Sequence, residues 1–138
     1  MVNSYELEDL DEVNELGRIL NPKFTTLFHI NNLNSNEKIY VYKENNHVLG
    51  FLHIAINYEI VDILNIIVRE GNRNQKIGSL LFDYMITELP QSITKILLEV
   101  NENNISAINF YNKFNFEVIS TRKNYYGNSN ALIMERKL

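Results

Sequence analysis

The sequence contains no cysteine and no tryptophan, and only two of its 138 residues are proline. Because cysteine is absent, the chain has no disulfide, no thiolate zinc site and no cysteine nucleophile. No apolar run approaches the roughly 18 residues that a membrane-spanning helix needs, and residues 1–6 lack the basic and then apolar profile of a secretion signal. These absences predict a cytoplasmic protein that does not insert into a membrane.

Basic residues are also too few and too scattered for a typical nucleic-acid-binding protein. The 13 Lys and Arg residues stand against 17 Asp and Glu residues, which gives a net charge of −4. A duplex-binding protein normally presents a basic face, so no direct nucleic-acid partner is predicted, and the acidic balance favours a cationic or small partner. His29, His47 and His53 show no familiar metal-ligand spacing, so no metal is predicted.

Length and hydrophobic pattern predict a single α/β domain over residues 1–138. In chain order the pattern predicts a strand at 2–7, helical segments at 10–20 and after residue 22, strands at 38–43, 48–56 and 60–68, a helix at 77–89, a strand at 95–100, a helix at 104–114, and strands at 116–123 and 131–137. The run at 60–68 is so apolar that it indicates a central strand buried on both faces. This succession of strands and helices predicts a mixed α/β sheet.

The loop at 69–79 leads from that apolar strand into the helix at 77–89, whose predicted inner face includes Leu80, and the loop is a candidate anion site. The first backbone N–H groups of a helix have no intrahelical partner, and the helix dipole is positive there, which suits phosphate. Gly78 removes a Cβ from the first turn, and Arg73 and Lys76 add positive charge. The alternative interpretation is an ordinary loop with a solvated basic patch.

Glu99 and Tyr111 are a candidate acid–base pair. Glu99 lies late in the apolar strand at 95–100, and Tyr111 lies on the helix that follows. A carboxylate can take a proton from an amine and a phenol can give one to a thiolate, and acyl transfer to an amine uses both steps. The alternatives are a solvated glutamate at a strand end and a tyrosine that packs in the apolar stripe of its helix.

Asn104 occupies the N-cap position of the helix at 104–114, and its amide could also reach a ligand. Tyr125 and Tyr126 are interpreted either as strand aromatics or as walls of a substrate pocket. The sequence has no GxSxG elbow, Walker P-loop, HExxH or GxGxxG motif, which argues against the common hydrolase and nucleotide-binding classes.

Together these motifs resemble the GNAT acetyltransferase superfamily over residues 60–138, and the element order of the whole chain agrees with that fold. The superfamily's acetyl-CoA motif is R/Q-x-x-G-x-G/A, and the matching stretch, in which a lysine replaces the first glycine, is Arg73-Asn74-Gln75-Lys76-Ile77-Gly78. Within the superfamily the chain resembles the bacterial ribosomal-protein-alanine N-acetyltransferases at Leu98-Glu99-Val100, at 104–111 and at Arg122-Lys123-Asn124-Tyr125-Tyr126. The resemblance implies a GNAT fold, with a mixed, mostly antiparallel sheet of about seven strands flanked by four helices.

The resemblance also implies acetyl-CoA as cosubstrate and a role for each matching residue. The cofactor's pyrophosphate would be bound by the segment that contains Arg73, Asn74, Gln75, Lys76, Ile77, Gly78 and Ser79. Backbone groups of Ile66, Ile67 and Val68 would bind the acetyl-pantetheine arm, as an added strand would. Asn104 would hydrogen-bond the cofactor, Glu99 would accept the amine proton, and Tyr111 would protonate the departing thiolate.

The sequence therefore predicts direct transfer of acetyl from acetyl-CoA to an amine, with a protein N-terminal amine, such as that of a ribosomal protein, as the first choice. One alternative is an enzyme that acetylates a small amine such as a polyamine, an amino acid or a drug. The other is a CoA-binding module without catalysis. The oligomeric state is not predicted from these residues.

Overall fold

The computed structural model describes residues 1–73 and 76–138. Its strands are β1 (Val2–Ser4), β2 (Glu37–Glu44), β3 (His47–Asn57), β4 (Ile60–Val68), β5 (Lys95–Asn101), β6 (Glu117–Arg122) and β7 (Ala131–Lys137). The α-helices within the described ranges are α1 (Leu10–Leu20), α2 (Phe24–Leu27), α3 (Ile77–Glu88) and α4 (Ile105–Lys113). The seven strands form one sheet in the order β1-β2-β3-β4-β5-β7-β6.

Strand direction agrees with the prediction of a mixed, mostly antiparallel sheet. β1 with β2, β2 with β3, β5 with β7, and β6 with β7 pair antiparallel. β4 and β5 run parallel, with Ile60 opposite Lys95 at the start of the pairing. The predicted order of strands and helices is confirmed. None of the helices in the described ranges is both long and apolar enough to span a membrane.

The chain divides into two compact units, the first of which comprises Met1–Ala55 and Leu64–Leu89. Val13 and Leu16 of α1 are three residues apart and fully buried, whereas Leu20 at the end of the helix is 48% exposed. The core cluster of this unit contains Val13, Leu16, Phe24, Ile30, Ile39, Val41, Val48, Phe51 and Ile67. α1 and α2 therefore bury their apolar side chains together with β2, β3 and the end of β4.

α3 starts at Ile77, as predicted, and ends at Glu88, one residue before the predicted end and two residues before Pro90, which cannot continue a helix. Its buried residues are Ile77, Leu81, Phe82 and Met85. The prediction that Leu80 faces inward is wrong, because Leu80 is 45% exposed. Three consecutive apolar residues, 80–82, make the helix apolar on most sides, so periodicity alone does not identify the side that packs on the sheet.

β4 is central, as predicted, but the prediction that both of its faces are buried is wrong. Its residues alternate between half-buried and buried along the whole strand. Val61, Ile63, Asn65 and Ile67 are the buried set. Successive side chains of a strand point to opposite faces, so one face of β4 is packed and the other is partly open to solvent. An apolar sequence indicates that a strand can be buried on either face, and only the packing of the folded chain shows which face is buried.

His53 is a fully buried histidine of the first unit that forms hydrogen bonds at both ring nitrogens. Its Nε2 lies 2.9 Å from a carboxylate oxygen of Glu37, and its Nδ1 lies 3.2 Å from the amide nitrogen of Asn65. The carboxylate can only accept, so Nε2–H donates to Glu37 and Nδ1 accepts from Asn65. Burial lowers the pKa of His53, and Glu37 opposes that effect in part. The imidazole is therefore neutral in the folded protein near neutral pH, and its contact with Glu37 is a hydrogen bond rather than an ion pair.

This lowered pKa predicts a pH-dependent stability. Below the ordinary histidine pKa of 6.5 the unfolded chain takes up a proton that folded His53 resists, so the free energy of unfolding should fall from about pH 7 to about pH 5. His53→Gln should flatten this slope in urea titrations across that range. His29→Gln, at an exposed histidine, is the control and should leave the slope intact. An unchanged slope in His53→Gln would contradict the assignment.

The second unit comprises Ile56–Ile63 and Pro90–Leu138. β7 lies between β5 and β6, and its Met134 is fully buried opposite Leu98 of β5. α4 contributes Tyr111, whose ring lies 5.7 Å from the ring of Phe116 between their centroids. β6 is exposed along its length, as expected for the last strand of the sheet.

Candidate active site

The end of β4 and the start of α3, where the sequence predicts an anion site, both lie in the first unit. The first helical hydrogen bond of α3 runs from the N–H of Leu80 to the carbonyl of Lys76, at 3.0 Å. The N–H groups of Ile77, Gly78 and Ser79 precede that bond, so none of them has an acceptor within the helix. A helix N-terminus of this kind attracts phosphate oxygens through its amides and its dipole.

Two cations accompany this helix terminus in the described residues. The Nε–H of Arg73 donates to the carbonyl of Val68 at 3.2 Å, which holds the guanidinium at the end of β4. Lys76 is exposed and is the N-cap residue of α3. Asn74 and Gln75, which the sequence also assigns to pyrophosphate binding, lie outside the described residues. An arginine bonded to the end of β4 and a lysine at the N-cap, together with helix amides that lack acceptors within the helix, are groups that suit a diphosphate.

Lys76 adopts a backbone conformation that suits glycine. Its φ of 59° and ψ of 25° lie in the left-handed region, which costs a residue with a Cβ about 1–2 kcal/mol. The resemblance places a glycine of the acetyl-CoA motif at this position. The structure therefore gives a physical reason for that glycine, and it indicates that Lys76 occupies the position with some strain.

Lys76→Gly should raise the free energy of unfolding by roughly 0.5–1 kcal/mol, because it removes the left-handed penalty while the unfolded chain gains some entropy. Chemical denaturation followed by circular dichroism measures this difference. Lys76→Ala is the matched control: it removes the same charge but keeps the Cβ, so it should show no such gain. If Lys76→Gly were no more stable than Lys76→Ala, the inference that the left-handed backbone at this position is strained would be contradicted.

Gly50 of β3 is a residue of this region that the sequence patterns missed. A Cβ at Gly50 would lie 3.0 Å from the carbonyl oxygen of Ile67 and 3.2 Å from Cγ2 of Ile77. The glycine therefore allows the first residue of α3 to pack tightly against β3 and the end of β4. Glycine inside a strand often marks such a close approach, and this was the signal available in the sequence.

The predicted backbone ligands Ile66, Ile67 and Val68 form the end of β4 in the first unit. Ile67 points into the core of that unit, whereas Ile66 and Val68 are half-buried. The carbonyl of Val68 accepts the hydrogen bond from Arg73. Their assignment to the acetyl-pantetheine arm stays a prediction.

Glu99 lies on β5 in the second unit, and its side chain is one-third exposed. Its carboxylate pairs with the guanidinium of Arg122 on β6, at 3.3 Å. The sequence reading of Glu99 as a solvated residue near a strand end is thus correct in part, but it missed the arginine. An exposed carboxylate beside a cation can accept a proton from an incoming group and remains accessible to it.

Tyr111 is buried on α4, with 7% of its surface exposed. Its ring packs against two aromatic rings, those of Phe110 at 5.5 Å and Phe116 at 5.7 Å between centroids. Burial raises the pKa of Tyr111 to about 12. The phenol therefore stays protonated at any ordinary pH, so that it can donate a hydrogen bond but gives up its proton reluctantly.

Asn104 caps α4 as the sequence predicts. Its side-chain oxygen accepts a hydrogen bond from the N–H of Ala107 at 3.1 Å. The cap uses the oxygen of the amide and leaves its NH₂ group as a donor. The structural role of Asn104 is therefore confirmed, while its contact with a cofactor stays a prediction.

Comparison with known proteins gives the family. Residues 4–116 match the model of the acetyltransferase (GNAT) family. A Bacillus subtilis (strain 168) protein, provisionally named a ribosomal protein bS18-alanine N-acetyltransferase, is 30% identical over 139 residues, covering 96% of this chain and 92% of that one.

Two solved structures share the fold. The ribosomal-protein-S18-alanine N-acetyltransferase from Escherichia coli superimposes with a TM-score of 0.84 at 21% identity, covering 99% of this chain and 92% of that one. An aminoglycoside 6'-N-acetyltransferase complexed with coenzyme A superimposes with a TM-score of 0.86 at 13% identity, covering 99% of this chain and 96% of that one. With a family model that spans most of its length, this chain belongs to the GNAT family and is an N-acetyltransferase that uses acetyl-CoA as cosubstrate.

Proposed function

We propose that this enzyme acetylates the α-amine at the N-terminus of a protein, with an alanine of a ribosomal protein as the first candidate. The observation that carries the proposal is the relationship over 96% of the chain to a protein named for that reaction. The Escherichia coli enzyme of the same name shares the fold. A cytoplasmic location and a single catalytic domain over residues 1–138 are part of the proposal.

The acyl donor supplies a thioester, and the first unit carries most of its proposed ligands. We assign the pyrophosphate to the segment that opens α3, which contains Arg73, Asn74, Gln75, Lys76, Ile77, Gly78 and Ser79. The helix terminus and its two cations support this assignment. Backbone groups of Ile66, Ile67 and Val68 bind the pantetheine arm by strand-like hydrogen bonds, and the NH₂ group of Asn104 donates to the cofactor.

Glu99 is the proposed base. The nitrogen that attacks the thioester must lose a proton, and the accessible carboxylate of Glu99 is a suitable acceptor, directly or through one water. No covalent link to the enzyme is needed when both substrates are bound together, because holding the amine against the thioester supplies much of the acceleration.

Tyr111 is the proposed hydrogen-bond donor to the departing sulfur. A phenol with a pKa of about 12 is a much weaker acid than an ordinary thiol, whose pKa is about 8.5. Full proton transfer from Tyr111 to the thiolate is therefore uphill, whereas a hydrogen bond from the phenol stabilises the negative sulfur as it forms. This refines the role of acid that the sequence suggested.

Tyr111→Phe should lower kcat by roughly 10²-fold, because the variant keeps the buried ring and loses the donor. The pH profile of the wild-type enzyme should show no descending limb from Tyr111 below about pH 11. Stopped assays of CoA release measure both quantities. Tyr58→Phe, at a tyrosine that is 98% exposed, is the matched control and should be silent. A Tyr111→Phe variant with wild-type kcat would return Tyr111 to a packing role.

The acceptor is tested with pairs of peptides. A peptide that begins with the residues of a ribosomal protein and carries a free N-terminal alanine should release CoA thiol when it is mixed with enzyme and acetyl-CoA. The same peptide with a blocked N-terminus should not, and mass spectrometry should place one acetyl group on the α-nitrogen. Release only with small amines such as spermidine would contradict the proposed acceptor.

A further inference from the structure

Arg122 connects the proposed base to a pair of tyrosines in the second unit. Its guanidinium lies 3.3 Å from the carboxylate of Glu99 and 5.6 Å from the ring centroid of Tyr125. The rings of Tyr125 and Tyr126 meet edge to face at 5.0 Å. Burial and, next, the charge of Glu99 raise the pKa of Tyr126. These four residues, Glu99, Arg122, Tyr125 and Tyr126, are called the Glu99 cluster below.

A β-bulge places Arg122 on the same face of the sheet as Glu99. Val118 of β6 pairs with Met134, and Ser120 pairs with Ile133, so the register shifts by one residue at 119. Without the bulge, Val118, Ser120 and Arg122 would all share one face, because side chains alternate along a strand. With it, Ser120 and Arg122 lie on the face of Ile133, which is paired with Glu99. The bulge is therefore what allows Arg122 to reach across β7 to Glu99.

The Glu99 cluster is accessible to an acceptor. The side chain of Arg122 is 54% exposed, and both tyrosines are about half exposed. An amine that approaches Glu99 therefore meets a carboxylate already paired with a fixed cation. An ammonium ion that approaches Glu99 must either displace the guanidinium of Arg122 or bind against its repulsion. A neutral amine carries no charge for the guanidinium to repel.

We propose that Arg122 is a specificity-determining residue that disfavours acceptors which arrive as ammonium ions and so favours the α-amine over lysine side chains and polyamines. An α-amine has a pKa of about 8 and a lysine amine about 10.4, so near pH 8 about half of the first but under about 1% of the second is neutral. The inference rests on the proposed function, because it concerns the acceptor of the same site. It adds that the site selects its acceptor by the charge that the amine carries at the working pH.

Tyr125 holds the selecting charge in place. A guanidinium over an aromatic face gains a cation–π attraction and loses freedom, so Arg122 stays beside Glu99 rather than extending into solvent. Arg122 is held by both a carboxylate and an aromatic ring. This distinguishes it from an arginine in an ordinary surface ion pair, which contributes little to stability by itself.

Selectivity is measured as the ratio of kcat/KM for two peptides of the same composition. One has a free N-terminal alanine and acetylated lysines, and the other has a blocked N-terminus and one free lysine. Arg122→Gln should lower the ratio of kcat/KM for the α-amine peptide to that for the lysine peptide by about fivefold or more, chiefly by raising kcat/KM for the lysine peptide. About fivefold is the factor that one exposed contact between like charges supplies. Arg122→Lys keeps the charge and should keep the ratio.

Lys123→Gln is the matched control, because it removes the same charge from the neighbouring exposed position and should leave the ratio unchanged. Equal loss of kcat/KM for both peptides in Arg122→Gln, or a ratio within about twofold of wild type, would overturn the inference. If the wild-type enzyme acetylates only small amines, the proposed function fails. The selection by Arg122 is then tested on glycinamide against an alkylamine of higher pKa, with the same expected change in ratio.

Discussion

Glu99→Gln should lower kcat by about 10²–10⁴-fold, the usual contribution of a general base. Glutamine keeps the size of the side chain and its position on β5, but its amide does not accept a proton at neutral pH. Glu99 is not among the residues proposed to bind the cofactor, so the stabilisation of the protein by CoA in a thermal melt should be unchanged. Loss of turnover with intact cofactor binding separates a base from a binding residue.

Glu117→Gln is the matched control for this variant. Glu117 is an exposed glutamate at the start of β6 in the same unit, so the substitution removes an equal charge away from the proposed base. It should retain wild-type kcat. A Glu99→Gln variant with wild-type kcat across the pH range would refute the role of base. If Glu99→Gln lost both turnover and the stabilisation of the protein by CoA, the substitution would have damaged the site as a whole.

Gly17→Ala should lower the free energy of unfolding by about 1–3 kcal/mol, although alanine is the better helix former by about 1 kcal/mol. A Cβ at Gly17 would overlap the ring of Phe24. Phe24 is fully buried and packs on Phe28 and Phe51, with ring centroids at 5.3 and 5.8 Å. The ring cannot move aside without disturbing these neighbours, so overpacking outweighs the gain in helix propensity.

A double-mutant cycle tests this explanation. Gly17→Ala in a Phe24→Leu background should cost at least about 1 kcal/mol less than in the wild type, because the smaller side chain leaves space for the methyl group. Urea denaturation of the four proteins gives the coupling. Arg18→Ala, at the exposed next position of α1, is the control and should lie within about 0.5 kcal/mol of wild type. Additive effects of Gly17→Ala and Phe24→Leu would contradict the overlap.

The parts of the fold that were predicted correctly depend on signals close together in the chain. Asn45 and Asn46 take positive φ values, 52° and 65°, in the turn between the strands that the sequence predicts at 38–43 and 48–56. Pro90 follows the end of α3, and Asn104 caps α4. Each of these features is set by a residue's own backbone preference or by a hydrogen bond to a residue three positions away.

The first strand is shorter than predicted, since it ends at Ser4 and not at residue 7. The two mispredictions of burial both concern a choice between faces. Leu80 is exposed, and one face of β4 is half-buried. Apolar content indicates which segments can be covered, but the covering side depends on packing with segments distant in the chain.

The amino-acid sequence by itself determined the order of strands and helices, the caps and turns, and the candidate chemistry of Glu99, Tyr111 and the start of α3. Only the tertiary structure decided that Ile77 packs closely against Gly50 and that Arg122 pairs with Glu99. The physical reason is that these contacts join residues more than twenty positions apart. Their geometry depends on strand register and on a bulge one residue long, and a one-residue shift reverses the face on which a side chain lies.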